Sequence, residues 1–248
     1  MNERLELILY KLIKYYIKIK EPISSKSLKN LAHLNISAST IRGYFQNLEK
    51  EGMLKKEHIS SGSYPSIKAM ELFWNQMLPK KCEITIDKLN EECKEFDIFA
   101  YIRISENQLL NEIYNVKDKF ILLEFDKDEI VIKYQKEIFD LLNSFKMMYI
   151  SDLEKIFIKY KIDSLLEKLK KFNKNIKINE KLLYNNFNNL NLNDLSYINN
   201  IKIDYQNQLI IKKIEFSKDN NNFEIYLIGN IYSDFLSLFE TMKGGEDE

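Results

Sequence analysis

The stretch ISASTIRGYFQNLEKEG, residues 36–52, carries two patterns at once. Ile41, Phe45 and Leu48 recur at i, i+4 and i+7, the spacing of one buried stripe on a helix. Ser39, Arg42, Gly43 and Gln46 recur in the same rhythm on nearly the opposite side, and none of them is a core residue by type. Ser37 is suited to cap the helix start, and Gly52 to close its end in a left-handed conformation. Gly43 falls mid-helix, where glycine costs about 1 kcal/mol relative to alanine. A missing side chain there lets the helix axis approach a partner closely. A stripe this small and polar fits the major groove of DNA, where the first turns of a reading helix meet base edges.

The segments on either side supply the setting. In RLELILYKLIKYYIKI (4–19), Leu5, Ile8, Leu9, Leu12, Ile13 and Tyr16 make one apolar face of an amphipathic helix, which Pro22 terminates. Ser24 or Ser25 can cap a short helix through about Ala32, and a turn at His33–Ile36 leads into the glycine-bearing helix. After Gly52, MLKKEHISSGSYPSIKAMELFWNQML reads as a strand, a Ser/Gly turn that returns the chain, and a further helix with Ser66 as N-cap. Three helices followed by a hairpin is the order of a winged helix-turn-helix. In that setting Arg42 can grip guanine through two hydrogen bonds, and Gln46 or Asn47 can read adenine. Ser37, Ser39 and Thr40 can bind phosphate beside the backbone N–H groups of the helix start. Ser25 and Lys26 at the second helix, and Lys55, Lys56, His58, Ser63, Tyr64 and Lys68 around the hairpin, complete the expected DNA-contacting set. For Tyr64, packing against its own domain is the alternative to stacking on a sugar.

Composition narrows the function classes. Residues 1–78 hold 12 Lys and Arg against 7 Asp and Glu, whereas 79–248 hold 25 against 30, so a neutral chain has a basic first third. That asymmetry suits a polyanion-binding module joined to a different one. No apolar run approaches the roughly 18 to 20 residues needed to span a bilayer, and the charged N-terminus lacks a secretory cleavage pattern, so a cytoplasmic location without membrane contact is expected. Cys82 and Cys93 belong to no metal or redox spacing and read as incidental thiols. His33 and His58 have no ligand partners at metal spacing, and Asp126, Asp128 and Glu129 read as a solvated turn. There is no Ser/His/Asp arrangement and no glycine-rich phosphate loop, so no enzyme and no cofactor is expected.

Beyond the third proline, Pro79, strand and helix signals mix. DIFAYIRI (97–104), KFILLEF (119–125) and EIVIKYQ (129–135) are β-rich, the last two joined by a hairpin-like DKD. Residues 136–171 read as helices. Half of residues 185–200 are Asn, among regularly spaced Leu and Ile that still allow folding. QLIIKKIEF (208–216) and NFEIYLIGN (222–230) read as strands before a last helix, and the tail GGEDE as disordered. The aromatics Phe120, Phe125, Tyr134, Phe139 and Phe145 are expected in a core or a protein interface. The fold class is α+β, with a DNA-binding domain over 1–78, a linker over 79–92 and a regulatory domain over 93–248.

Residues 4–66 resemble the DNA-binding domain of the HrcA family of heat-inducible transcription repressors. The matching pieces are EPISSKSL, ISASTIRGYFQNLEKEGML and HISSGSYPS, near the family patterns EPVGSKTL, VSPATIRNEMAELEELGYL and HTSAGRVPT. FDIFAYIRI, KFILLEF and EIYLIGNIYSDFLSLFETM fall where that family has a GAF-like domain, and residues 151–200 are either a reduced version of the family's inserted dimerising domain or unrelated helices. The resemblance implies a homodimeric repressor of chaperone operons. It further implies an inverted-repeat operator, the CIRCE element, and the chaperonin GroEL as a partner that maintains the active form. This chain departs from the pattern at Gly43, where Asn is usual, and at Ser63-Tyr64, where the wing has Arg-Val. Either Lys55, Lys56 or Lys68 then takes over the phosphate contacts, or the grip on DNA is looser. The alternative function is a DNA-binding regulator whose second domain senses a small molecule.

Overall fold

The computed structural model describes residues 2–56, 58, 61–80, 84–186, 190, 192–218 and 221–243. Its N-terminal stripe folds as α1 (Glu3–Ile19), burying Leu5, Ile8, Leu9, Leu12, Ile13 and Ile17. Each such side chain contributes about 1.5–3 kcal/mol when removed from water. Asn2 caps this helix, and Lys20 ends it in the left-handed conformation with φ 61°. Of the two serines able to cap the next helix, Ser24 does so: its hydroxyl accepts the Ser27 N–H at 3.0 Å, and α2 (Ser25–Leu31) follows. Ser37 caps α3 (Ala38–Lys50) by accepting the Thr40 N–H, and Gly52 follows the helix end with φ 73°.

The chain then makes β1 (Leu54–Lys56) and β2 (Ser63–Pro65), an antiparallel pair with Lys55 opposite Tyr64 and Lys56 opposite Ser63. Ile23 exchanges both backbone hydrogen bonds with Ser63, so the segment before α2 extends this small sheet. Gly62 is required by that approach, since a Cβ there would lie 2.6 Å from the Pro22 carbonyl. Ser66 caps α4 (Ile67–Met77) and donates to the Gly52 carbonyl.

The remaining α-helices and strands are α5 (Ile86–Glu95), β3 (Phe99–Glu106), β4 (Leu110–Val116), β5 (Phe120–Phe125), β6 (Glu129–Lys133), α6 (Lys136–Asn143), α7 (Ile150–Lys159), α8 (Asp163–Leu169), β7 (Asn173–Ile178), α9 (Lys181–Asn186), β8 (Ile201–Asp204), β9 (Leu209–Lys218), β10 (Asn221–Asn230) and α10 (Phe235–Lys243). They build a five-stranded sheet, β7-β3-β10-β9-β8, and a three-stranded antiparallel sheet, β4-β5-β6. The architecture is mixed α and β, as the sequence implied.

By contact density the chain forms two compact units, one of residues 1–101, 177–214 and 226–248, the other of 102–176 and 215–225. The division does not follow the expected linker at 79–92. Residues before and after it share one core: the Trp74 indole donates to the Ile231 carbonyl at 2.7 Å and its ring meets Phe235 edge-on. In the same unit Phe99, Tyr101, Tyr226 and Ile228 pack with Leu195 and Ile198, so the leucines of the Asn-rich run do reach a core.

The other unit groups α6, α7 and α8 with β4-β5-β6, so of the insertion expected near 151–200 the part up to 176 shares a unit that starts at 102, while the part from 177, with α9, belongs to the first unit. The cause is the inner face of that sheet, where Ile113, Ile121, Leu123 and Ile130 are covered by Leu142, Leu153, Phe157 and Leu165. Phe125 joins this core, and Tyr134, Phe139 and Phe145 pack against it, but Phe120 lies on the other face and is 45% exposed. The Asp126–Glu129 turn is more than solvated. Asp126 accepts from the Leu109 N–H, and Asp128 from the amide of buried Gln108, bracing the turn against the start of β4. Cys93 is a free, buried thiol whose pKa burial pushes up to about 12, with Glu92 adding to the shift. Cys82 and the tail 244–248 lie outside the described residues.

Candidate nucleic-acid interface

Ile41, Phe45 and Leu48 are buried and hold α3 in place, which leaves the other stripe outward. Ser37, Ser39, Thr40, Arg42, Gln46 and Asn47 are all exposed, and Gly43 is half-buried. A Cβ added at Gly43 would meet nothing within 4 Å, so no internal packing explains the glycine. At the helix start the Ser37 hydroxyl shares hydrogen bonds with Ser39 Oγ at 2.6 Å and Thr40 Oγ1 at 2.8 Å. Three hydroxyls and the positive end of the helix dipole thus meet at one surface point, an arrangement that favours an anionic oxygen. Arg42 has no ion-pair or hydrogen-bond partner among the described residues, so its guanidinium is available to a ligand.

The hairpin is tied to α3 by one carboxylate. Glu49, on the last turns of α3, accepts from the Ser63 hydroxyl at 3.0 Å and pairs with Lys56 at 2.8 Å. This fixes the hairpin against the helix and commits Lys56 to an internal partner. Lys55 on the same strand is exposed, as are His58 and Lys68. Lys68 donates to the Glu51 carbonyl at 3.4 Å, a contact loose enough to exchange for a phosphate.

Two expected serines leave the candidate surface. Ser63 is 1% exposed with its hydroxyl on Glu49, and Ser25 is buried at the start of α2. Lys26 beside it is exposed. Tyr64 takes the packed alternative, its ring stacked on Tyr16 with centroids 6.4 Å apart. Glu49 was not among the expected site residues. Its role shows only once the hairpin brings Ser63 and Lys56 to it, although a carboxylate near two hairpin lysines is a faint sequence signal.

A separate cleft of about 920 Å³ opens beside the end of α1, lined by Tyr16, Lys20, Asp97, Asn207, Tyr232 and Asp234, among others. Burial lowers the Lys20 pKa from its ordinary value, against the pull of Asp234 and Asp97. Burial also pushes the Tyr232 phenol up to about 12, with Tyr16 and Tyr64 adding to the shift, so it is a proton donor at any ordinary pH. No cluster of His, Cys, Asp and Glu able to hold a metal is found among the described residues.

A family model described as the HrcA C-terminal domain matches residues 74–246. The heat-inducible transcription repressor HrcA of Helicobacter pylori (strain 26695) is 37% identical over 121 residues, which is 48% of this chain and 46% of that protein. Its counterpart from Mycoplasma mobile is 42% identical over 91 residues, 37% of this chain and 27% of that one. The one from Phytoplasma mali is 28% identical over 182 residues, 64% and 53%. The chain thus spans about half the length of these curated relatives, or less. A crystal structure of a hypothetical protein at 2.2 Å resolution superposes with a TM-score of 0.50 over 98% of this chain and 95% of that one, at 17% identity, a likeness of fold alone.

Proposed function

The chain belongs to the HrcA family, and from that premise we propose that it is a DNA-binding repressor of heat-shock operons. In this reading residues 1–78 are a winged helix-turn-helix with α3 as the reading helix and β1-β2 as the wing. The observation that carries it is the outward stripe of α3, Ser39, Arg42, Gly43 and Gln46, clear of the buried stripe and flanked by the Ser37 hydroxyl cluster. The residues that read or grip DNA are Arg42, Gln46 and Asn47 at base edges. Ser37, Ser39, Thr40, Lys26, Lys55, His58 and Lys68 face phosphates.

The rest of the chain is a GAF-like regulatory part with an insertion. The five-stranded sheet supports the first assignment, and the compact unit of residues 102–176 and 215–225 supports the second. The active species is a homodimer that presents two copies of α3 to the half-sites of an inverted repeat of the CIRCE kind. The outer face of β4-β5-β6 supports self-association. Tyr114, Val116, Phe120 and Val131 are between 41% and 51% exposed there, and a contiguous apolar face of this kind marks an interaction surface. Heat releases the operator, and the chaperonin GroEL maintains the active form.

Gel-shift titration on an inverted-repeat chaperone promoter tests the reading. Binding tighter than to scrambled DNA of the same composition is expected; equal binding to both overturns it.

The cleft beside α1 favours a second reading, in which a small polar molecule controls the repressor. Metabolite screening by thermal shift separates the two, because a ligand of the native state raises the melting temperature by mass action.

A further inference from the structure

The six residues NIYSDF at 230–235 run from the end of the last strand to the start of the last helix and belong to the C-terminal half of the sequence, yet they grip the N-terminal reading half at three elements. On α4, Trp74 donates its indole N–H to the Ile231 carbonyl and meets the Phe235 ring at 5.7 Å. On α1, the Lys20 ammonium donates to the Tyr232 carbonyl, and the Tyr16 ring meets the Tyr232 ring edge-on at 5.5 Å. On β2, the Tyr232 hydroxyl donates to the Pro65 carbonyl at 3.2 Å. Tyr16 in turn stacks on Tyr64, so one phenol chain runs from the segment through α1 to the hairpin.

The segment is itself well held. The Ile231 N–H donates to the Gln208 carbonyl at 2.8 Å, Tyr232 N–H to the Asn230 side chain at 3.0 Å, and Asp234 accepts both the N–H and the hydroxyl of Ser237. Lys20 reaches it from a left-handed backbone, φ 61°, at the end of α1. A short, internally bonded segment that touches α1, α4 and the hairpin touches the frame around α3 while leaving the DNA-facing stripe free.

We propose that residues 230–235 are a strap that sets the orientation of the reading helix, with Tyr232 as its positioning residue and Lys20 and Trp74 as its anchors. The inference rests on the reading above of a dimeric, operator-binding repressor. Orientation of a single head has no effect on its contact with one half-site. In a dimer on an inverted repeat it decides which separation of half-sites both heads can occupy at once. The strap therefore acts on spacing selectivity, and Tyr232 does so without touching DNA.

The test compares the full-length wild type with a Lys20→Met, Tyr232→Phe double variant. This variant keeps the rings in place and removes two of the three polar latches, leaving the Trp74 indole on the Ile231 carbonyl as the fold check needs. Affinity is measured on one half-site and on inverted repeats whose spacer is lengthened or shortened by one and two base pairs. Tryptophan emission checks the fold, since Trp74 is the sole tryptophan and is fully buried. The wild type should lose roughly tenfold or more at the wrong spacer, a difference of about one affinity decade. The variant should bind the single half-site as well as the wild type, while its penalty at the wrong spacer shrinks to about threefold or less. A variant that keeps the wild-type spacing profile overturns the strap alone. A wild type that shows no spacing preference overturns the dimeric reading and the strap with it.

Discussion

Arg42 and Lys55 are both exposed cations of the reading half, and the proposed interface gives them different work. Arg42 sits at a base-edge position of α3, so Arg42→Ala should cost about 1–3 kcal/mol of binding and relax preference at one position of each half-site. In the proposed interface Lys55, on the hairpin, meets only phosphate. Lys55→Ala should weaken all sequences alike and flatten the dependence of affinity on salt. Titrations on base-substituted half-sites at two salt concentrations separate the two outcomes. Gly43 gives a sharper contrast, because stability and binding should move in opposite directions. With nothing within 4 Å of an added Cβ, Gly43→Ala should raise the unfolding free energy by about 1 kcal/mol in a denaturant titration. In the proposed interface the same methyl stands where the helix axis approaches the groove, so operator affinity should fall in the gel-shift assay. A variant that gains stability and binds unchanged would mean that Gly43 faces solvent in the complex.

Among elements, α3 and the hairpin depend on each other through Glu49. Glu49→Ala leaves the buried Ser63 hydroxyl without its acceptor and frees Lys56. An unsatisfied buried hydroxyl costs about 1–3 kcal/mol, so the variant should unfold at lower denaturant. Adding Ser63→Ala removes the orphaned group, and the double variant should recover part of the loss; strict additivity in this cycle would exclude the contact. This pair is joined by the fold and not by any local pattern. The caps Ser37 and Ser66, the stripe of Ile41, Phe45 and Leu48, and the β5–β6 hairpin were legible because each is a local pattern of spacing or turn chemistry. Glu49 and Ser63 are 14 residues apart and look like surface, and only folding joins them. The strands β7 and β8 were illegible for another reason. They form the edges of their sheet, and NKNIKI at 173–178 carries the lysines and solvent-exposed positions that keep an edge from pairing further. Lys212, by contrast, reads as solvent-facing and is fully buried, its ammonium on the Asn200 side chain.

At the scale of the molecule, repression by a dimer requires both heads on one operator. Joining two half-site contacts makes the second an intramolecular event, worth roughly 10²–10⁴ in overall affinity without any new contact, and losing the dimer forfeits that factor while each head stays intact. The outer face of β4-β5-β6 is the surface whose chemistry suits the junction: Tyr114 lies opposite Leu122, Leu122 opposite Val131, and Val116 opposite Phe120, so five apolar side chains share one side of the sheet. Val131 is 51% exposed and makes room for a charge without disturbing the inner core. Val131→Lys should therefore lower the dimer fraction in light scattering and reduce inverted-repeat binding, with single half-site affinity unchanged. The same logic orders the thermal events. An exposed interface of modest size should open before a reading half whose buried stripes and aromatic core include Phe73 and Trp74, both fully buried. On warming, the scattering mass should fall together with operator binding at a temperature where Trp74 emission still reports a buried indole. A dimer mass that persists beyond the loss of operator binding contradicts this order and would place the heat-sensitive step within the reading half itself.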